Sequence, residues 1–526
     1  MTDDEPSNID ELARSLEEPL LSQSTVTENR DVDENDVISR STVDGSENQR
    51  NDRESPVLYD GLPLKESLLI KSLYFLDALG SSAWGRFSAI YYNSHGLNTQ
   101  QVGIIEGLRT LTPTVSSTFW GFVSDRFRCR KLVWVWTKSG GTAILLLLAV
   151  PWVTKSFSRI LSVSIGAQLF VSNGAILDSY TLEKLGTENK LLYGRYRLYA
   201  SLSWGLGSIV MGWVTDNFGF DWNFIMFGGL SLLMIILVSN CIPDTMKTQE
   251  RSSSNESNAN ESNEETDVDE EGVTTDTDTD TDSGVDVGDI LDLVYLVLKP
   301  RVLFFFVEVT VMGAAMATVE RLLFLYLVND LYASTLLCGL SVGVNVLFEL
   351  PIFWYASSIL NYLGSDGMFL LSMTCFVVRV FGYTLLTPAT KWWILPLESM
   401  HGVTFATFWI VTTDVSKGLI DETKGGYWST TIPSVVQMLY TAVGATIGSV
   451  LGGFAMHRFG SKQMYRFTAG SVFCLFLVHL LGSVIVRICC HRIGTIMPGS
   501  EHQIEADEND EENVDQSDDD DAEDDL

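Results

Sequence analysis

Twelve apolar segments, each about as long as a membrane-crossing helix, constrain the fold of this 526-residue chain more than any other feature. A helix of about 20 predominantly apolar residues spans the hydrocarbon core of a bilayer. Six segments precede a polar break and six follow it: 65–92, 99–122, 131–153, 158–182, 195–216 and 221–242, then 301–328, 335–360, 366–388, 392–415, 428–454 and 464–489. The sequence therefore predicts an all-α membrane protein with twelve transmembrane helices.

The formal net charge of −33 comes from three polar segments and not from the apolar part of the chain. Residues 1–56 hold 16 acidic and 5 basic residues, residues 252–289 hold 14 acidic residues, and residues 501–526 hold 15; the last two segments contain no Lys or Arg. Segments of this composition do not bury enough apolar surface to fold. The expected organisation is a disordered cytosolic tail at 1–60, a six-helix bundle at 61–243, a disordered linker at 244–299, a second six-helix bundle at 300–492 and a disordered tail at 493–526.

The two halves carry similar landmarks at a nearly constant separation. The pairs Arg86 and Arg321, Pro113 and Pro351, Asp178 and Asp414, and Gly219 and Gly460 are 235, 238, 236 and 241 residues apart. Parallel six-helix repeats around a central cavity are typical of secondary transporters that rock between two open states.

Basic residues in the loops predict the orientation. With the N-terminus in the cytosol, ten loop Lys and Arg residues lie inside and six outside. This bias predicts that both termini are cytosolic. The sequence leaves open whether the protein resides in the plasma membrane or in an endosomal or vacuolar membrane.

The loop after the second segment reads GFVSDRFRCRK, residues 121–131. It resembles the Gly-x-x-x-Asp-Arg-x-x-Arg-Lys signature of the major facilitator superfamily. The resemblance implies close helix packing at one residue and a lock formed by an acid and a base, supported by two further basic residues. These residues are Gly121, Asp125 and Arg126, and Arg130 and Lys131. A basic cluster that only sets topology is the alternative interpretation.

A second resemblance narrows the branch. The stretches LDSYTLEKLG, YGRYRLYASLSWGLGSIVMGW, IIEGLRTLTP, VVRVFGYTLL and LESMHGVTFATFW resemble the lactose-permease and phenylpropionate-permease-like symporters and their eukaryotic relatives. Arg197 belongs to this match, and Asp178 and Asp414 lie near predicted cytosolic helix ends. We assign these three residues to gating. For the two aspartates we expect gating or helix capping, with substrate contact as the alternative.

Nine charged or ionisable residues inside the apolar segments are candidates for solute binding and proton coupling. They are Asp77, Arg86, Glu106, Arg109, Glu320, Arg321, Arg379, Glu398 and His401. Such residues are costly in hydrocarbon and mark functional pathways. At 1.5 Å per residue, Arg379 and His401 lie at a common depth of about 13 Å below the outer end of their helices.

A carboxylate and an imidazole beside an Arg form a candidate proton site. In lactose permease the acidic proton carrier follows the matching His by three residues, a position that Thr404 holds here. Glu398, three residues before His401, is the replacement candidate. Ion pairs that only hold helices together, and a packing role for His401, are the alternatives.

The sequence predicts a proton symporter of the major facilitator fold for a sugar, nucleoside or aromatic acid. The alternative is a transport-deficient receptor or scaffold that signals through acidic tails, which are candidate binding segments for trafficking or signalling proteins. We expect no enzymatic activity because no nucleotide-binding loop, metal-ligand cluster or nucleophile elbow is present. We also expect no cofactor, metal ion or nucleic acid; the expected partners are a small solute, protons and the lipid bilayer.

Overall fold

A computed structural model of the chain describes residues 58–171, 173–242, 287–423 and 428–496. The acidic segments at 1–56 and 501–526 lie outside the described residues, as does most of the segment at 252–289. The expectations of disorder and of partner binding in these segments therefore remain predictions.

The first half begins with a two-stranded hairpin, β1 (Leu58–Tyr59) and β2 (Leu62–Pro63). Its α-helices are α1 (Leu64–Trp84), α2 (Ser88–Ser94), α3 (Thr99–Arg126), α4 (Arg130–Leu146), α5 (Pro151–Thr154), α6 (Phe157–Gln168), α7 (Asn173–Leu185), α8 (Tyr193–Phe218) and α9 (Asp221–Cys241). Short 3₁₀ turns at Leu147–Ala149 and Lys190–Leu192 connect some of them.

The second half follows the same plan. Its α-helices are α10 (Val287–Leu298), α11 (Pro300–Asn329), α12 (Thr335–Trp354), α13 (Ala356–Tyr383), α14 (Ile394–Asp421), α15 (Thr431–Met438), α16 (Ala445–Phe459) and α17 (Ser461–Ile496). A 3₁₀ segment, Pro388–Trp393, precedes α14, and a π-helical segment, Leu439–Gly444, joins α15 to α16.

Eight helical segments in the described residues are long and apolar enough to cross a membrane. The four predicted segments that miss this criterion, 65–92, 99–122, 158–182 and 195–216, all lie in the first half. The segment at 158–182 is divided between α6 and α7, each too short alone. The other three carry the polar side chains of α1, α3 and α8, which lower their apolarity.

Helix ends follow local chemistry that recurs in both halves. Gly219 ends α8 with φ 84°, and Gly460 ends α16 with φ 83°. Only glycine adopts such a left-handed conformation readily, which is why it commonly ends helices. The repeat that the sequence indicates through these two residues is therefore a repeat of backbone geometry.

The two halves meet mainly through two helix pairs, α3 with α16 and α8 with α12. A Cβ at Gly103 of α3 would lie 2.5 Å from the carbonyl oxygen of Ser449, and one at Gly339 of α12 would lie 2.2 Å from that of Ser208. Only glycine permits backbones this close. We call the end of the bundle where these two glycines lie, near the starts of α3 and α12, the closed end.

The opposite end carries the hairpin, and we call it the open end. Asp60 and Gly61 at the hairpin turn have φ 52° and 80°, a combination that suits a tight two-residue turn. The carboxylate of Asp60 accepts hydrogen bonds from Lys71 of α1 at 2.5 Å and from Arg195 of α8 at 3.0 Å. The hairpin is thus fastened to two helices, although we predicted a disordered tail up to residue 60.

The last described part of the predicted linker is also helical. Helix α10, Val287–Leu298, lies within the range 244–299 that we expected to be disordered. Its sequence, VGDILDLVYLVL, is mostly apolar, and it contacts α11. The acidic run of the linker therefore gives way to mostly apolar residues within α10, which still contains Asp289 and Asp292.

Candidate functional site

A cavity of about 1070 Å³ lies between the halves. Its walls come from α1 and α8 of the first half and from α11, α12 and α14 of the second. Two of its lining side chains, Arg195 and Arg197, are 66% and 63% exposed, and Trp354 is exposed as well. The cavity therefore reaches the surface at the open end, while the glycine contacts lie at the other end.

A chain of charged side chains crosses the inner part of the cavity from one half to the other. Arg86, between α1 and α2, lies 3.7 Å from Glu320 of α11, measured from Nη2 to Oε1. The same Glu320 oxygen lies 3.6 Å from His401 Nε2 on α14. All three residues line the cavity. These predicted site residues, far apart in sequence, thus share one polar surface.

His401 connects this surface to a second, fully buried pair. Arg379 of α13 contacts His401 Nδ1 through Nη1, and its Nη1 lies 3.9 Å from Glu398 Oε1. The Tyr383 hydroxyl donates a hydrogen bond to the same Glu398 oxygen. Arg379 and Glu398 are both 0% exposed and do not line the cavity. Glu398 therefore lies behind the cavity wall, not on its wet face as we expected.

The contact with Arg379 also indicates the tautomer of His401. A guanidinium has only donors, so Nδ1 of His401 must accept, and a neutral imidazole then carries its proton on Nε2. That N–H is directed toward Glu320. Thr404, which holds the position of the permease carboxylate, donates its hydroxyl hydrogen to the carbonyl oxygen of Met400 within its own helix.

Glu106, Arg109 and Arg321 form a separate buried cluster at the interface of the halves. Arg109 Nη1 donates to Glu106 Oε1 at 2.7 Å, and the Ser88 hydroxyl donates to the same oxygen at 2.7 Å. Arg321 Nη1 of the second half lies 3.6 Å from Glu106 Oε2. One carboxylate is thus shared by two arginines from opposite halves, and only Arg321 of the three lines the cavity.

Asp77 is not part of either cluster. Lys138 of α4 donates to its Oδ1 at 2.7 Å. The sequence around Asp77 contains no neutralising cation, and the partner lies 61 residues away on another helix. This geometry assigns Asp77 to an ion pair between α1 and α4.

The aspartates assigned to gating lie in matching places in the two halves. Asp178 accepts a hydrogen bond from the Tyr74 hydroxyl at 2.7 Å and lies 4.0 Å from Arg197 Nη1. Asp414 accepts one from the Ser365 hydroxyl at 2.7 Å. Each carboxylate therefore ties neighbouring helices within its own half.

The signature loop is mostly exposed in this conformation. Arg130 pairs with Glu183 of α7, and Lys131 follows it at the start of α4. The side chains of Asp125 and Arg126 are exposed and form no ion pair with another residue in the described part of the chain. A Cβ at Gly121 would meet no described atom within 4 Å. The close packing and the lock that the resemblance implies are therefore not formed in this open-end conformation.

Several cavity residues lie outside the nine candidates for solute binding and proton coupling. Asn345 and Glu349 of α12 and Trp204 of α8 line the cavity. Of the four aromatic residues Tyr74, Trp84, Phe408 and Trp409 in the apolar segments, only Trp409 contributes to the wall. Four-residue spacing places Asn345 and Glu349 on one helix face. That spacing, next to Pro351, is the signal that could have identified them.

Two acidic groups outside the membrane-spanning helices have lowered pKa values. Hydrogen bonding from Lys71 lowers the pKa of Asp60 despite its burial. Burial raises the pKa of Glu422, but hydrogen bonds from Lys299 and Arg301 outweigh it, so the net shift is downward. Both groups fasten helix ends at the open end of their own half.

Among the described residues no cluster of three or more His, Cys, Asp or Glu is arranged to hold a metal ion.

Solved structures with a similar fold are transporters. The nucleoside transporter NupG aligns with a TM-score of 0.61 and 14% identity, covering 79% of this chain and 98% of NupG. A POT family transporter in complex with 5-aminolevulinic acid aligns with a TM-score of 0.56 and 12% identity, covering 79% and 96% of the two chains. These likenesses confirm the major facilitator fold.

The curated relatives are similar over a shorter stretch. The human major facilitator superfamily domain-containing protein 6-like is 24% identical over 156 residues, which cover 29% of this chain and 25% of that protein. The Xenopus laevis protein 6-like protein B is 22% identical over 166 residues, which cover 32% and 26%. The matched stretch thus spans about a quarter of each relative. The MFS_1 like family matches residues 68–467, most of the chain and both halves, so the protein belongs to that family.

Proposed function

We propose that the protein is a secondary active transporter that moves a small polar organic solute together with protons by alternating access. The observation that carries the proposal is the continuous polar path from the cavity to a buried carboxylate. It runs from Glu320 through His401 to Arg379 and Glu398, and its members come from α11, α13 and α14. Family membership and fold support transport, while the path supports proton coupling.

Glu398 is the proton carrier in this proposal. Ionised, it is stabilised by Arg379 at 3.9 Å and by the Tyr383 hydroxyl. Protonation removes its negative charge, and Arg379 then loses its ion-pair partner inside a dry site, which is energetically unfavourable. Arg379 is then free to turn toward Glu320 or toward a bound solute. Solute binding and protonation are coupled because Glu398 and the solute compete for the same guanidinium, so a solute that attracts Arg379 leaves Glu398 free to take up a proton.

His401 separates the cavity from the carrier. Its Nε2 faces Glu320 in the cavity, and its Nδ1 accepts from Arg379. A proton that enters from the cavity reaches Glu398 only after Arg379 moves away from His401. This arrangement prevents proton leakage without solute, which is the requirement for coupled transport.

The orientation and the domain boundaries belong to the same proposal. The bias of ten inner against six outer basic loop residues supports cytosolic termini. The hairpin before α1 then lies on the cytosolic side, so the cavity opens to the cytosol in this conformation. The two bundles are 61–243 and 300–492; the membrane is the plasma membrane or an endosomal or vacuolar one.

Reconstitution into liposomes tests the proposal. Internal pH is recorded while sugars, nucleosides and aromatic acids are offered in turn. We expect one solute to drive proton entry, and Glu398→Gln to abolish proton entry while retaining solute exchange. Glu308→Gln is the matched control, because Glu308 is buried in the same half and does not line the cavity. Its carboxylate lies 2.5 Å from His479 Nδ1.

The outcomes separate the alternatives. Solute flux without proton movement in the wild type would contradict proton coupling but retain transport. Equal effects of Glu398→Gln and Glu308→Gln would contradict the role of Glu398. No flux with any solute class would favour the receptor or scaffold function that the acidic tails suggest.

A further inference from the structure

Asn345 is buried in the cavity wall with its amide group unused. The residue is 3% exposed, and neither its amide nitrogen nor its amide oxygen has a hydrogen-bond partner among the described residues. Buried polar side chains are hydrogen-bonded in nearly all native proteins, so an amide with both ends unpaired requires an explanation. Its position in the lining of the cavity indicates that a ligand supplies the partners.

Helix α12 packs closely against α14 at Asn345. A Cβ at Gly402 of α14 would lie only 2.6 Å from the backbone oxygen of Asn345. The neighbours one turn away or adjacent, Val342 and Val346, are apolar and offer no partner. Ser341 differs, because its hydroxyl donates to the carbonyl oxygen of Cys338 at 2.7 Å and is satisfied within the helix.

Glu349 extends the same face by one helical turn. It lines the cavity, and its carboxylate forms no ion pair or hydrogen bond with any residue that the structure describes. Together the two side chains offer donors on the Asn345 amide nitrogen and acceptors on the Asn345 amide oxygen and the Glu349 carboxylate. Trp204 and Trp409 add flat apolar surface to the same cavity.

We propose that Asn345 selects the solute, and that the solute is neutral and carries a hydrogen-bond donor next to an acceptor. This inference rests on the proposed transport function and narrows its substrate class. Such an edge exists on the amide face of a nucleobase and on the adjacent hydroxyls of a sugar. An aromatic carboxylate without a donor does not fit, because it leaves the Asn345 oxygen unpaired and places its charge beside Glu349.

Binding to the purified full-length protein, measured by calorimetry, tests the inference independently of flux. The probes are uridine, 3-methyluridine, which lacks the N3 donor, D-galactose and benzoate. Asn345→Leu removes the amide nitrogen and the amide oxygen while keeping a similar side-chain volume. Ser341→Ala is the matched control on the same helix. We expect wild-type protein to bind uridine or D-galactose, and Asn345→Leu to weaken that binding at least about tenfold.

The two sources of the edge give different patterns. A nucleobase edge predicts that wild-type protein prefers uridine to 3-methyluridine and that Asn345→Leu abolishes this preference. A sugar edge predicts D-galactose binding that depends on Asn345 without uridine binding. Ser341→Ala should behave as wild type in either case.

Thermal stability separates ligand selection from a structural role. Because Asn345 makes no hydrogen bond in the described structure, Asn345→Leu should leave the Tm unchanged or raise it. A lower Tm would indicate a structural role and overturn the inference. Benzoate binding that Asn345→Leu leaves intact, or wild-type protein that binds neither uridine nor D-galactose, would also overturn it. Binding that depends on Asn345 without solute-driven proton entry would count against proton coupling alone.

Discussion

Asp216 offers the sharpest test of how the closed end is held. Helix α12 begins at the closed end, and its own Ser334 side chain accepts from the backbone N–H of Leu337. The two preceding N–H groups are satisfied from the other half. Asp216 of α8 accepts from Thr335 N at 2.8 Å, from the Thr335 hydroxyl at 2.6 Å and from Leu336 N at 2.8 Å. A carboxylate from one half therefore caps a helix of the other.

Removing this cap should shift the conformational equilibrium. Loss of a helix cap costs about 1 kcal/mol, and loss of a negative charge at a helix N-terminus adds roughly 0.3–1 kcal/mol. The exposed position of Asp216 keeps the total at about 1–2 kcal/mol, since water replaces part of the interaction. In the proposed alternating access, α8 separates from α12 when the closed end opens. Asp216→Ala should therefore favour the opposite conformation by about 5–30-fold.

Distances across the closed end measure this shift. Asn329 donates to Asn93 at 2.9 Å between the halves at the same end. Spin labels at these two positions, in a background without the seven native cysteines, should show a larger population of long distances in Asp216→Ala. Asp330→Ala is the control, because Asp330 is also exposed and its side chain bonds to no described residue. An unchanged distance distribution, or an equal shift in the control, would refute the reasoning.

Three further changes should alter thermal stability. Lys138→Met should lower the free energy of unfolding by about 3 kcal/mol, seen as a lower Tm, because it leaves the Asp77 carboxylate without its ion-pair partner. Adding Asp77→Leu should restore the Tm, and a failure to do so would contradict the ion-pair account. Glu422→Gln should lower the Tm fully at pH values above the ordinary pKa of 4.5, because a lowered pKa in the folded state stabilises the protein there. This stabilisation is lost as the pH falls through the lowered pKa, so a Tm difference that persists in acid would exclude this linkage. Gly448→Ala should lower the free energy of unfolding by about 1–3 kcal/mol, because its Cβ would lie 1.9 Å from a backbone oxygen. Gly121→Ala, whose Cβ would meet no described atom within 4 Å, should leave the Tm unchanged, and equal Tm values for the two variants would contradict the packing argument.

Much of the architecture is encoded locally. Apolar length and glycine at helix ends are properties of short windows, and together with the repeated landmarks they were sufficient to predict the fold class. Gly219 and Gly460 show this directly, because their left-handed backbone follows from the residue type and the helix end. The first half is more polar than the second. Four of its six predicted segments fall short of the length and apolarity that the other eight segments reach.

The site was predictable in depth but not in pairing. Counting residues along α13 and α14 placed Arg379 and His401 at one level, and the structure brings them into contact. It could not show that Glu398 points behind the cavity wall toward Tyr383. A rotation of the helix about its axis by a fraction of a turn decides between these positions, and that rotation is fixed by packing.

Hydropathy and helical rise act within single segments. The amino-acid sequence was therefore enough to predict two repeated sets of membrane helices and ionisable residues at a shared depth. The tertiary structure alone decided which charges meet. Asp77 pairs with Lys138 and Glu106 with Arg321, partners that lie on different helices. It also left the Asn345 amide without a partner in the cavity wall. These outcomes depend on the rotation and proximity of helices that are far apart in the chain, which no local pattern specifies.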